Sequence, residues 1–377
     1  MKKSKKADLA VIGAGIMGLA ISYIAARKGL KVVLFEKNSK ALGASIRNFG
    51  LIWPIGQSPG VAYERALRSR KRWIKLAEKA GFWCQQNGSL HLAYEEDEMK
   101  VLEEFMESAL ENGYFTKLLT PAEILNKSQA VNPTGLKGGL WSSTELTLDP
   151  REAIRTIPDW LNANYNVKLR FSTQVNFIDM PKIETNQEIW KVQQVYVCSG
   201  DDFETLYPEV YASSGLQRVK LQMMRTIPQP TSWQLGPTLC SGLTLRHYDS
   251  FRKCKSLRKL KNRIEDQNPA YDRWGIHVMV SQNSKGELLI GDSHENGLVH
   301  EPFIKEEIND LILDYLEKFA LIPDFKISHR WAGYYTKREG GKLFLHEPAK
   351  QVMIVNGLAG SGMTMSLSIA EDLLKGF

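Results

Sequence analysis

Cysteine is scarce and scattered. The 377-residue chain holds four, Cys84, Cys198, Cys240 and Cys254, with no C-x-x-C pair among them. That spacing excludes a disulfide framework and a cysteine-based zinc site, and it favours a reducing, cytoplasmic setting. Histidine is nearly as sparse, at seven residues. Neither His277 nor His294 stands at metal-ligand spacing, so both read as structural histidines and no metal is expected. Internal repeats, low-complexity linkers and an evident catalytic triad are all missing. One long uncharged run does occur, from Leu9 to Ala26, long enough to suggest a membrane span. Gly13, Gly15 and Gly18 make it a poor plain helix, since each interior glycine costs about 1 kcal/mol. The charged segment "KVVLFEK" follows at once, so no membrane span is expected. The start "MKKSKKADLAVIGAG" imitates a signal peptide, but Asp8 breaks the run and no small-x-small cleavage site follows, so no export leader is expected.

What is present is the composition of a globular protein, 43% hydrophobic and 24% charged. The length exceeds one ordinary core, which predicts two domains. A net charge of +7 favours anionic ligands. "ADLAVI" reads as a buried strand, Gly15 to Lys28 as a helix stopped by Gly29, and Lys31 to Glu36 as a second strand. This is a βαβ unit carrying G-x-G-x-x-G at Gly13, Gly15 and Gly18. The first glycine allows a tight turn, the second admits a pyrophosphate, and the third lets helix and strand pack. The helix N-terminus, with Ile16 and Met17 in its first turn, offers N–H groups to phosphate. Glu36, eighteen residues past Gly18, ends the second strand where its carboxylate can accept ribose hydroxyls.

Further helices are expected over 60–79, 95–111 and 303–319, and Asp149-Pro150-Arg151-Glu152 is a helix start. The stretch 217–291 reads as strand-rich but irregular. Within it, "RKCKSLRKLKNR" holds seven basic residues and no acid from Arg252 to Arg263, a solvated face or an RNA contact. At the C-terminus, "VNGLAGSGMTMS" places a second glycine turn, Gly360 and Gly362 with Met363 and Thr364, at a helix start. The first fingerprint serves NAD and FAD alike. The second turn favours FAD, because a helix N-terminus there can face the flavin ring where negative charge gathers on reduction.

With these pieces in order, the sequence resembles the FAD-dependent D-amino-acid oxidase-like superfamily, which includes glycine, sarcosine and D-amino-acid oxidases. The matching segments span nearly the whole chain and include "GASIRNFG", "TQVNFI", "VYVCSG", "GELLIGDSHE", "HRWAGYYT" and "GLAGSGMTMS". The resemblance implies an α/β fold: a Rossmann-like FAD-binding domain with a parallel sheet (1–82, 148–222 and 328–377). It is interleaved with an α+β substrate domain on a mixed or antiparallel sheet (83–147 and 223–327). By similarity Glu36 and Lys37 lie at the adenosine end, with Val175 offering backbone contacts to adenine. Ser45, Asn48 and Gly50 lie along the pyrophosphate and flavin, Ser199 and Gly200 form the turn after a strand, and Gly333, Gly360, Gly362 and Thr364 face the flavin ring.

"GASIRNFG" and "RWAGYYTKR" contain neither cysteine nor histidine, so FAD is expected to be non-covalent. Glycine-oxidase-like members have an arginine where this chain has Tyr335, which removes one carboxylate clamp. Arg246, His247 and Lys337, with Arg338, are then candidate anion holders, Arg47 is less favoured, and Trp53 is a candidate apolar wall. "GASIRNFGLIWPIGQSPG" and "SGLTLRHYDSF" also look like a phosphonate-associated subgroup proposed to oxidise aminophosphonates. The expected activity is oxidation of a small anionic amine, with oxygen or another electron acceptor. Oxidation of glycine or an N-methyl amino acid is an alternative, and an RNA-binding flavoprotein modifying a tRNA amine is another. An NAD-dependent dehydrogenase is the remaining one.

Overall fold

A computed structural model describes residues 4–341 and 343–376. The strand Leu9–Ile12 is buried throughout and pairs in parallel with Val32–Phe35 on one side and Gln194–Val197 on the other. The sheet continues to Lys168–Arg170 at one edge. At the other it runs through Val352–Asn356 to Phe344–Ala349, the last pair antiparallel. Six strands result, drawn from both ends and the middle of the chain. The chain leaves Leu9–Ile12 first to one side and later returns to the other, so the strand order switches there. In open α/β sheets the crevice at such a switch is where ligands bind.

The helix Ile16–Arg27 explains the long uncharged run. Every residue from Ile16 to Ala26 is buried, because the helix is held against the sheet by Pro150–Tyr165 and the closing helix Gly362–Leu373, with Val61–Ala80 packed on both of these. Leu19, Ile21 and Ile24 are each at most 3% exposed, a burial that stabilises by about 1.5–3 kcal/mol per side chain. Apolarity on all sides therefore serves a protein core. Among the described residues no helix is long and apolar enough to cross a membrane.

A second, nine-stranded sheet is mixed: Thr238–Cys240 runs parallel to Ser89–Ala93, and the other pairings are antiparallel. Its longest strand, Leu216–Pro228, pairs along its length with Ile327–Arg338. These two strands pass through positions 222 and 328 without a break, both within this one sheet. Asp149 caps Pro150–Tyr165 through the Arg151 N–H. Glu152 does not complete a capping box; it accepts from Trp83 N instead. The basic run forms the helix Leu257–Gln267. Leu257, Leu260 and Ile264 bury one face, while Arg258, Lys259 and Lys261 stay exposed.

Candidate active site

A cleft of about 340 Å³ opens at the C-terminal ends of Leu9–Ile12, Val32–Phe35 and Gln194–Val197. Of the residues expected to meet a dinucleotide, Gly13, Gly15, Ile16, Met17, Glu36, Lys37, Ser45, Val175, Ser199, Gly200 and Gly362 line it. The two glycine turns, from opposite ends of the chain, thus share one wall. A Cβ on Gly362 would lie 3.8 Å from Ile16 Cγ2.

The local chemistry follows from the turn. Gly13 has φ +100°, and a Cβ there would lie 2.3 Å from the Cys198 carbonyl oxygen. A side chain is excluded twice over. No side chain caps the helix at Gly15. Ser45 Oγ accepts from Ile16 N at 2.9 Å and so pins the loop 43–47 against the turn. Glu36 is 8% exposed; its carboxylate accepts from Ala14 N at 3.1 Å and Asn38 N at 3.0 Å. Lys37 pairs with Asp202 at 2.7 Å, and Thr205 Oγ1 donates to the same carboxylate at 2.8 Å. Burial alone would raise Asp202, but these partners outweigh it and hold the carboxyl below its ordinary value.

The remaining expected residues stand behind this surface. Gly18 packs beneath Gly13. Asn48 donates to the carbonyls of Ala44 and Ser45 and accepts from Gly50 N, ordering the loop. Gly50 has φ +72°, with the Leu148 carbonyl 1.9 Å from where a Cβ would be. Gly333 abuts Leu221 and the Arg47 carbonyl. Gly360 has open space around it. The Met363 carbonyl accepts from Trp73 Nε1 at 2.7 Å, and Thr364 Oγ1 accepts from Trp53 N at 2.9 Å. Thr364 thereby fixes the segment that carries Trp53.

Arg47 lines the cleft and donates to the Ala332 carbonyl at 3.2 Å. Trp53 is buried, its indole nitrogen unpartnered, with its ring near His91 and Tyr248. Arg246 is not a free cation: it forms an ion pair with Asp272 and donates to the Ile276 carbonyl. Lys337 is exposed, and among the described residues its ammonium has no ion-pair partner. It shares a strand face with Tyr335, two residues earlier, because side chains alternate along a strand.

Beside Tyr335 the fold assembles a cluster that sequence spacing did not show. His294 lies 6.2 Å from Tyr335, ring to ring, and His247, His277 and His294 stand 4.0–5.2 Å from one another. His247 is an exposed residue on the outer side of the group, but desolvation of its ring among its neighbours, then the adjacent imidazoles and the positive charge of Lys337, hold it well below its ordinary value. His294 is also lowered, first by burial, with Asp292 opposing. Burial raises the Tyr335 phenol, keeping it protonated. A further group missed in the sequence is Glu145, which is fully buried and accepts from Ile55 N, Ser89 Oγ and Thr144 Oγ1. It anchors the segment that follows Trp53.

An elongated FAD fits these residues. The helix start, where Gly15 brings no side chain and Ser45 takes the first N–H, suits a pyrophosphate, and the cleft is also lined by Glu36, Lys37, Tyr334, Tyr335, Thr336 and Gly362. The basic helix borders a separate shallow groove that shares no lining residue with the cleft.

Residues 8–375 match the family described as DAO: FAD dependent oxidoreductase. The chain belongs to that family and is an FAD-dependent oxidoreductase. It is 23% identical to a glycerol 3-phosphate dehydrogenase from Caloramator mitchellensis, an alignment covering 98% of this chain and 74% of the relative. The fold matches the crystal structure of glycine oxidase from Geobacillus kaustophilus with a TM-score of 0.77 and 19% identity, covering 99% and 94% of the two chains. It also matches the crystal structure of L-proline dehydrogenase from P. horikoshii with a TM-score of 0.75 and 22% identity, covering 99% and 95%.

Proposed function

We propose that the protein binds FAD non-covalently and oxidises a small amine that carries an anionic group, with an aminophosphonate such as a hydroxylated 2-aminoethylphosphonate as the leading candidate. The observation that carries this reading is Lys337, an ammonium without an ion-pair partner among the described residues, set beside Tyr335 and uncharged imidazoles next to the cleft.

FAD, when bound, supplies the acceptor for a hydride from the carbon bearing the amine. The protein's part is to place and neutralise the substrate. Lys337 holds the anionic end as a point charge. Tyr335, kept protonated by burial, can donate a hydrogen bond to the same group. His294, lowered first by burial, stands 6.2 Å from Tyr335 at the edge of this site. Trp53, fixed by Thr364 and flanked by the segment Glu145 anchors, supplies an apolar side. The resulting imine takes up water and hydrolyses to an aldehyde or keto acid plus ammonia or an amine, and oxygen or another acceptor takes the electrons. The four cysteines, scattered and all free thiols, support a reducing compartment.

The glycerol 3-phosphate dehydrogenase relative favours a second reading, in which the anionic substrate is a phosphate ester oxidised at a hydroxyl-bearing carbon. Anaerobic mixing with a panel of small compounds, followed by flavin bleaching, separates the two. Amines with phosphonate or carboxylate groups are expected to bleach the flavin faster than the same amines without an anion. Bleaching by glycerol 3-phosphate and by no amine would replace the leading reading with the second.

A further inference from the structure

The three imidazoles beside Tyr335 have an arrangement that substrate selection does not require. The donor atoms of His247, His277 and His294 all lie within 4.8 Å of one another. One of the rings is oriented from behind. His294 Nδ1 is 3.0 Å from the Gly275 carbonyl oxygen, which fixes that nitrogen as the N–H and leaves the Nε2 lone pair free. His277 Nε2 lies 2.9 Å from Asp292 Oδ1, close but without hydrogen-bond geometry, and that oxygen has no hydrogen-bond partner among the described residues. Its other nitrogen, Nδ1, is buried and has no hydrogen-bond partner among the described residues, in a residue only 4% exposed. An unpaired buried nitrogen costs free energy unless something completes it. His247, by contrast, sits on the exposed side of the group.

Ligating histidines are oriented in this way: one ring nitrogen is held by a carboxylate or a backbone carbonyl, and the other faces the metal. The carbonyl kind of support is present on His294, and a carboxylate stands close to His277. We infer that His247, His277 and His294 form a binding site for a divalent transition cation of the zinc class. The Gly275 carbonyl orients His294, Asp292 stands beside His277, and a coordination position is left open on the exposed side at His247.

Zn–N bonds of about 2.1 Å place tetrahedral donors roughly 3.4 Å apart, so binding draws the rings together by on the order of 1 Å. Three imidazoles suit zinc and its neighbours rather than calcium or magnesium, which take oxygen ligands. Two cations stand close by. Arg246 is neutralised by Asp272, but Lys337 has no ion-pair partner among the described residues, and its charge opposes metal binding. Removing it should tighten the site.

The assignment rests on the placement of this cluster beside the proposed substrate site, but its test does not use substrate. The full-length, flavin-loaded protein is stripped with a chelator and titrated with Zn2+ against a chromogenic competitor, with flavin absorbance as the check on folding. One zinc per chain is expected. Binding should weaken at least tenfold in His247→Gln and again in His294→Gln, and strengthen several-fold in Lys337→Gln. Stoichiometry below one zinc per chain in the unmodified protein, or equal binding in His247→Gln, would overturn the site. So would Lys337→Gln weakening zinc retention, because the cluster would then be answering to an anion. A protein that takes up zinc in this pattern yet oxidises no amine leaves the metal site standing and removes only the substrate reading.

Discussion

Gly18 lies against Gly13 so closely that a Cβ on it would stand 1.9 Å from the Gly13 carbonyl oxygen and 3.2 Å from Val11 Cγ1. The contact sets how near the helix Ile16–Arg27 comes to its strand, and so where its N-terminus points. The backbone atom in the way cannot swing aside as a flexible side chain would. Gly18→Ala should therefore destabilise the fold by about 1–3 kcal/mol, as overpacking does, and weaken FAD retention as the turn shifts. Thermal unfolding and the flavin-to-protein absorbance ratio measure both. An unchanged ratio with unchanged stability would show that helix and strand can separate without cost.

Glu36 holds the Ala14 and Asn38 backbone N–H groups while facing the cleft. Hydrogen bonds to a charged group are worth about 1.5–3 kcal/mol. Glu36→Ala is expected to weaken FAD binding by roughly ten- to a hundredfold on that basis, with Glu36→Gln falling between. Titration of flavin-free protein with FAD reads the difference.

Arg246 and Lys337 look alike in the sequence as candidate anion holders, and the fold separates them. Arg246→Gln removes a partner of Asp272 and should lower stability. Lys337→Gln should leave stability within about 0.5 kcal/mol, as exposed substitutions do, while raising KM for anionic amines and not for uncharged ones. Steady-state kinetics on matched substrate pairs test this; equal KM changes for both classes would remove Lys337 from the anion site.

Glu145 gives a pH dependence with a definite sign. Its burial raises the folded-state carboxyl above the ordinary value, against the hydrogen bonds that lower it. The folded state therefore holds its proton more tightly than the unfolded chain, so this contribution is full below the ordinary carboxyl value of about 4.5 and is lost as pH rises through the folded one. Replacing it with Gln removes that loss while keeping an acceptor for Ile55 N. Denaturant unfolding from pH 4 to 8 should show a weaker decline in Glu145→Gln than in the parent. Parallel curves would assign the pH response to other groups.

Local patterns carry much of this into the sequence. A strand, a glycine turn, a helix and an acid at a strand end lie within one short segment, so the βαβ unit and most of the cleft wall are readable there. The C-terminal turn is readable for the same reason, and the cleft unites it with the first. The basic run reads as charge, which hides its helix although Leu257, Leu260 and Ile264 sit at helical spacing. The histidine cluster depends on strand pairing: Met279 stands opposite Gly291, and just beyond, His277 and Asp292 exchange backbone hydrogen bonds. No spacing along the chain records that register. Arg246 misleads for a like reason, since Asp272 reaches it only through tertiary folding.

The most direct measurement is the identity and attachment of the chromophore in the purified protein. Denaturation should release a yellow supernatant containing one FAD per chain, with none left on the polypeptide. A colourless protein retaining a nicotinamide dinucleotide, or a flavin that stays with the precipitated chain, would contradict the account of a cleft that grips FAD along its whole length without a covalent bond.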